Sequence, residues 1–290
     1  MVSEDTAQLF REKVHVAFLG WEIERIAKPV LQMNGDRLII ICFPREKEHA
    51  WAYLDEIRSL LEERNINIDI IESSLYKLVD LVSILNKIFQ VERIKGNELF
   101  INVSAGTKIS ACASTIASMS TPDVTAYYVH TKEYLPIVEG IKPPITLTSG
   151  IEKILPLPEC QIEVPESKYI KTLHLINRLS NEKNRGRIYI KDLIEYLKNE
   201  ELISVKKNDN PRKQASSEYM ATNALIRPLE KWEYIVISPK KRNKFLTITT
   251  KGLNAIKMHL DFSLSRDKLV EGGDINNWIE ELDRIEESKY

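Results

Sequence analysis

The run Asn102-Val103-Ser104-Ala105-Gly106-Thr107-Lys108 gathers an amide, two hydroxyls, a glycine and an ammonium within a single short segment. Gly106 allows backbone to approach a ligand closely, Ser104 and Thr107 offer hydroxyls, and Lys108 supplies positive charge. A helix starting here would also present unpaired amides, which favour an anion, so the segment suits a phosphate. Its other reading is a capped helix with no ligand. A second loop, Gly20-Trp21-Glu22, places another glycine beside an aromatic ring and a carboxylate. Trp21 fits packing as well as stacking, and Glu22 fits a helix dipole as well as a ligand. No pair of glycines forms G-x-G and the pattern G-x-x-x-x-G-K-[ST] is absent. Ordinary dinucleotide binding and Walker-type ATP hydrolysis therefore lose their main sequence support. His15, His49, His130, His174 and His259 are dispersed and H-E-x-x-H is missing, so no metal site is expected. Cys42, Cys112 and Cys160 form no C-x-x-C pair, which points to buried, reduced thiols.

The elements around these loops alternate. Val14 to Leu19 reads as a strand ending at Gly20, and Glu22 to Ile26 begins a helical period. Arg37 to Phe43 is almost continuously apolar, as in a strand covered on both faces. Helical spacing follows over 47–64, a short strand over 66–71 and another helix over 74–90. Leu99 to Val103 is the next strand, Ile109 to Met119 a helix, and Thr125 to His130 a strand. This order predicts an α/β fold, a Rossmann-like and mostly parallel sheet with helices on both faces. Ligands in such sheets bind beyond the C-terminal strand ends, where both candidate loops lie. Pro143, Pro144, Pro156, Pro158 and Pro165 mark a seam unfavourable to continuous helix or central strand.

The formal charge of −1 hides a partition. Residues 1–167 hold 17 Lys+Arg against 24 Asp+Glu, residues 168–260 hold 20 against 9, and residues 261–290 hold 4 against 9. A basic segment between two acidic ones suits a polyanion, because phosphate contacts come from Lys and Arg. That segment reads as helices from Tyr169, over Lys191–Glu200 and over 216–231, the last capped by Ser216 or Ser217 with Met220, Ala224, Ile226 and Leu229 apolar. Asn208-Asp209-Asn210-Pro211 reads as a break. A strand at 234–237, a cationic tip and a strand at 245–249 complete a hairpin, with a closing helix after Thr250.

Helix, helix, helix, hairpin, helix is similar to winged helix-turn-helix transcription factors, and Leu246 to Gly252 looks like their strand-to-helix ending. That resemblance implies binding to double-stranded DNA, with Ser216, Ser217, Tyr219, Asn223 and Arg227 on the groove-entering helix and Lys240, Lys241, Arg242 and Lys244 on the wing. Together, the nucleotide-type sheet, N-x-S-x-G-T-K and the winged helix resemble archaeal CRISPR-associated Rossmann-fold (CARF) regulators. The resemblance implies a cytoplasmic homodimer whose sheet domains bind a cyclic oligoadenylate, cyclic tetra-adenylate above all, with no other cofactor. It places Gly20, Trp21 and Glu22 on one side of the ligand and Asn102, Ser104, Ala105, Gly106, Thr107 and Lys108 on the other. The expected organisation is a ligand-sensing domain at 1–165, a winged helix-turn-helix at 166–260 and an acidic C-terminal helix at 261–290. The expected function is ligand-responsive transcriptional regulation rather than catalysis. The alternative is a metal-independent ring nuclease using Lys108, Thr107 and Ser104. No run is apolar enough to span a membrane.

Overall fold

The computed structural model describes residues 11–44, 51–136, 146–182, 186–238, 244–259, 275–277 and 279–280. The chain divides into two compact units, Met1–Glu163 with Leu264–Asp283, and Val164–Ser263 with Arg284–Tyr290.

The first unit is built on a six-stranded sheet of β1 (Lys13–Phe18), β2 (Arg37–Cys42), β3 (Asn67–Glu72), β4 (Glu98–Asn102), β5 (Val124–Tyr134) and β6 (Thr148–Pro156). Their order is β3-β2-β1-β4-β5-β6, parallel except for β6, which runs antiparallel to β5. Helices α1 (Glu24–Gln32), α2 (Trp51–Glu62), α3 (Leu78–Lys95) and α4 (Lys108–Ser120) connect the parallel strands. Leu38 and Ile40 of β2 join Ile26, Val30, Leu54 and Ile57 of α1 and α2 in one core cluster. Ile39 and Ile41, pointing the other way, are equally buried, as expected of an interior strand covered on both sides. Chain order reverses between β1 and β4, so the loops leaving those strands face each other at the topological switch point.

Two sequence expectations change here. The proline seam contains β6, which ends at Pro156; an edge strand needs ladder bonds on one side only, so a terminal proline costs it little. Cys42 is buried, but Cys112 and Cys160 are exposed, lying outside the sheet interior. At the opposite end of the sheet, Arg37 bonds Glu12, Asp69 and Glu92 at 3.0, 2.9 and 2.5 Å. Those three carboxylates hold the guanidinium charged despite its burial.

The second unit contains α5 (Ser167–Glu182), β7 (Ile188–Tyr189), α6 (Ile190–Asn199), α7 (Pro211–Lys231), β8 (Ile235–Ile237), β9 (Phe245–Ile248) and α8 (Thr250–Met258). Its strands form a small antiparallel sheet in the order β7-β9-β8, packed on a core that includes Leu173, Leu193, Ile226 and Leu246. α7 starts five residues before the expected position. Asn210 is its N-cap, accepting from the amides of Arg212 and Lys213, and Pro211 occupies the first helical turn, where a missing amide costs nothing. Ser216 and Ser217 are thus exposed interior positions rather than caps. Met220 and Ala224 are exposed too, whereas Ile226 and Leu229 are buried as expected.

Residues 275–277 and 279–280 are helical; Ile275 is buried, and the Asn276 side-chain amide donates to the Ile70 carbonyl of edge strand β3 at 3.0 Å. This covers one of the acceptors that a bare sheet edge would expose.

Candidate functional site

The loops after β1 and β4 meet through their glycines. A Cβ on Gly20 would lie 2.8 Å from the Gly106 amide nitrogen, and one on Gly106 would lie 2.6 Å from the Phe18 Cβ and 2.7 Å from the Ser110 Oγ. Gly106 also has φ +86°, a left-handed conformation that side chains disfavour. Glycine at both positions is therefore a steric requirement of this approach.

Asn102 fixes the second loop from inside. Fully buried at the end of β4, it donates from Nδ2 to the Arg25 carbonyl at 2.8 Å and accepts the Ser104 amide on Oδ1 at 2.9 Å. The Arg25 carbonyl would ordinarily receive an amide from residue 29 of the same helix. Position 29 is proline, which has no N–H, so Asn102 supplies the missing donor and ties the β4 loop to α1. The Ser104 Oγ accepts from the Val129 amide at 2.5 Å, extending this tie to β5. Thr107 caps α4, accepting the Ser110 amide at 3.0 Å and donating to the Leu75 carbonyl at 3.3 Å. Asn102 and Ala105 have almost no exposed surface and lie beneath the two loops.

What remains open to solvent is narrower than the sequence list. Gly106 and Lys108 are exposed, Trp21 is 40% exposed, and Lys108 has no hydrogen-bond or ion-pair partner among the described residues. The early amides of α4 outside the Thr107 cap lack intrahelical acceptors, as at any helix start. Glu22 turns inward to Arg25, with Oε1 2.8 Å from the guanidinium. Burial raises the Glu22 pKa, and the Arg25 charge opposes that rise. Arg25 further donates to the Val129 carbonyl at 2.9 Å and lies over the Tyr128 ring. The carboxylate that would repel phosphates is thus paired with a guanidinium and largely withdrawn from solvent. Sequence reasoning missed Arg25 and Pro29, and also Tyr76, which is 68% exposed and packs on Phe43 in the loop hydrogen-bonded to Thr107.

In the second unit, Ser216, Ser217, Tyr219 and Arg227 lie on the exposed side of α7, Asn223 is half-buried, and Arg227 pairs with Glu230 at 2.8 Å. Lys244 immediately precedes β9 and lines a cleft with Tyr189, Lys191 and Tyr219. Lys240, Lys241 and Arg242 lie outside the described residues. No group of three or more His, Cys, Asp or Glu among the described residues could hold a metal ion, and no described helix is long and apolar enough to cross a membrane.

Residues 13–134 match the family described as HFX_2341_N-like, N-terminal, and residues 171–260 match the DUF6293 C-terminal winged helix domain. An uncharacterized protein of Methanocaldococcus jannaschii, MJ1513, is 26% identical over 232 residues, spanning 69% of this chain and 65% of that protein. The fold is similar to Can2 from Sulfobacillus thermosulfidooxidans in complex with cyclic tetra-adenylate, at 14% identity and a TM-score of 0.35, over 87% of this chain and 63% of that one. It is also similar to a type III CRISPR defence DNA nuclease activated by cyclic oligoadenylate, at 12% identity and a TM-score of 0.36, over 75% and 35% of the two chains. The chain thus joins a segment that matches the HFX_2341_N-like, N-terminal family to one that matches the DUF6293 C-terminal winged helix domain.

Proposed function

We propose that the protein is a cytoplasmic, homodimeric DNA-binding regulator whose sheet unit binds a cyclic oligoadenylate, with cyclic tetra-adenylate as the leading ligand. One observation carries the reading: Gly20 and Gly106 bring two loops into backbone contact at the β1/β4 switch point, beside the start of α4 and Lys108, which has no partner among the described residues. Backbone amides and a free ammonium suit phosphodiester oxygens, and an exposed Trp21 ring suits a base. A symmetric cyclic ligand would be shared by the crevices of two protomers. The winged-helix unit supplies duplex binding through α7 and the hairpin, with Lys244 and the other wing cations, Lys240, Lys241 and Arg242, on phosphate.

Ligand and DNA communicate by linkage. A ligand changes DNA affinity only as far as it prefers one dimer arrangement, and a coupling of about 1–3 kcal/mol corresponds to about 5-fold to 150-fold in affinity. The geometry favours binding over ring cleavage, because the Thr107 hydroxyl is committed both to the α4 cap and to the Leu75 carbonyl. Among the described residues Lys108 has no partner and the Ser104 O–H has no acceptor, so both stay available to a ligand.

A gel shift on duplex DNA from upstream of the protein's own gene, with and without cyclic tetra-adenylate, tests the coupling. The expected result is a shift whose midpoint moves on adding ligand. An unmoved midpoint despite saturable ligand binding would rule out regulation, and linear adenylates accumulating without metal would install the ring-nuclease reading instead.

A further inference from the structure

We propose that α7 recognises thymine through its C5 methyl group, with Met220 and Ala224 as the contacting side chains; this rests on the DNA-binding reading above. Thr222, Leu225, Ile226 and Leu229 face the core. At 100° per residue the opposite midline of the helix runs through Lys213, Met220, Ala224 and Lys231, and all four are exposed. Met220 is 70% exposed, a large apolar side chain at the centre of the outward face of a polar helix.

The charge on this face fits a duplex. Lysines mark both ends of the midline, and its two nearest carboxylates are already paired, Glu218 with Lys198 at 2.7 Å and Glu230 with Arg227 at 2.8 Å. Charge alone would give affinity without sequence preference. The side chains between the lysines decide what the face can read. Neither Met220 nor Ala224 can form the paired hydrogen bonds that identify guanine or adenine, and the thymine methyl is the one apolar group on the major-groove edges. A methionine adapts its three torsions to such a surface. Four residues of helix advance about 6 Å, close to two base steps of about 3.4 Å, so the two side chains can each cover a methyl. The polar candidates on the same helix, Ser216, Asn223 and Arg227, would flank these contacts.

The test uses the full chain. Duplexes are selected from a random-sequence pool at low salt, and the enriched sequence is remade with uracil for thymine, which removes only the methyl group. The expected loss is about fourfold per methyl covered and about fifteenfold for two. Met220→Ala and Met220→Gln should lose most of this discrimination while keeping salt-dependent binding to unselected DNA. Equal affinity for the thymine and uracil duplexes would overturn the proposal and leave DNA binding standing. So would a Met220 variant that changes sedimentation mass but not discrimination, which would make the stripe a protein interface. Retention of no duplex at low salt would remove the DNA-binding reading itself.

Discussion

The bond between Asn102 and the Arg25 carbonyl exists because Pro29 cannot make it, and a double-mutant cycle can measure that dependence. Asn102→Ala deletes two hydrogen bonds at a fully buried position, one to the Arg25 carbonyl and one to the Ser104 amide. Each leaves a backbone group unsatisfied at a cost of about 1–3 kcal/mol, so the substitution should destabilise the sheet unit by about 2–6 kcal/mol. Pro29→Ala restores an amide that can reach the Arg25 carbonyl from within α1, and it competes with Asn102 for the same acceptor. In the Pro29→Ala background, Asn102→Ala should therefore cost about 1–2 kcal/mol less than in the wild type. Urea unfolding of the four proteins, followed by circular dichroism, gives the coupling directly. Additivity within about 0.3 kcal/mol would show that Pro29 and Asn102 do not share that carbonyl, and would refute the account of how the β4 loop is held.

Other consequences are simpler to read. Gly106→Ala combines a left-handed backbone with contacts at 2.6 and 2.7 Å and should cost about 2–5 kcal/mol, whereas Gly96→Ala, with φ +85° but nothing within 4 Å, should cost about 1–2 kcal/mol; equal melting temperatures for the two variants would show that the crevice tolerates a side chain. His15 is buried between Phe100 and Tyr127, and desolvation lowers its pKa to about 4. The unfolded chain takes up a proton that the folded chain refuses, so stability is full above about pH 6.5 and falls by up to about 3 kcal/mol as pH drops to about 4. His15→Gln should remove this component of the acid limb in urea titrations, and an unchanged limb would reassign it to other groups.

Much of this architecture is visible in local pattern. The unbroken Leu38–Cys42 run announces an interior strand, and Gly20 ends one strand-like run while Gly106 follows another by three residues, both where a Rossmann-like sheet binds ligands. The division of labour among site residues is not local. Asn102 and Ser104 read as ligand groups because amides and hydroxyls are polar, yet their partners lie 77 and 25 residues away and turn them into braces. Arg25 escaped notice because its role depends on Glu22 and Val129 converging on it in three dimensions. In the winged-helix unit, Pro211 reads equally as a breaker and as a first-turn residue. Only the Asn210 cap decides between them, and that decision moves Ser216 and Ser217 from the start of α7 to its outer face.

The most direct measurement is isothermal titration of the full chain with cyclic tetra-adenylate at low salt, beside Lys108→Ala. The account predicts saturable binding at one ligand per two chains, weakened at least tenfold by loss of the ammonium, in keeping with about 1.5–3 kcal/mol for a charge-assisted hydrogen bond. No heat of binding, or equal affinity for wild type and Lys108→Ala, would contradict it.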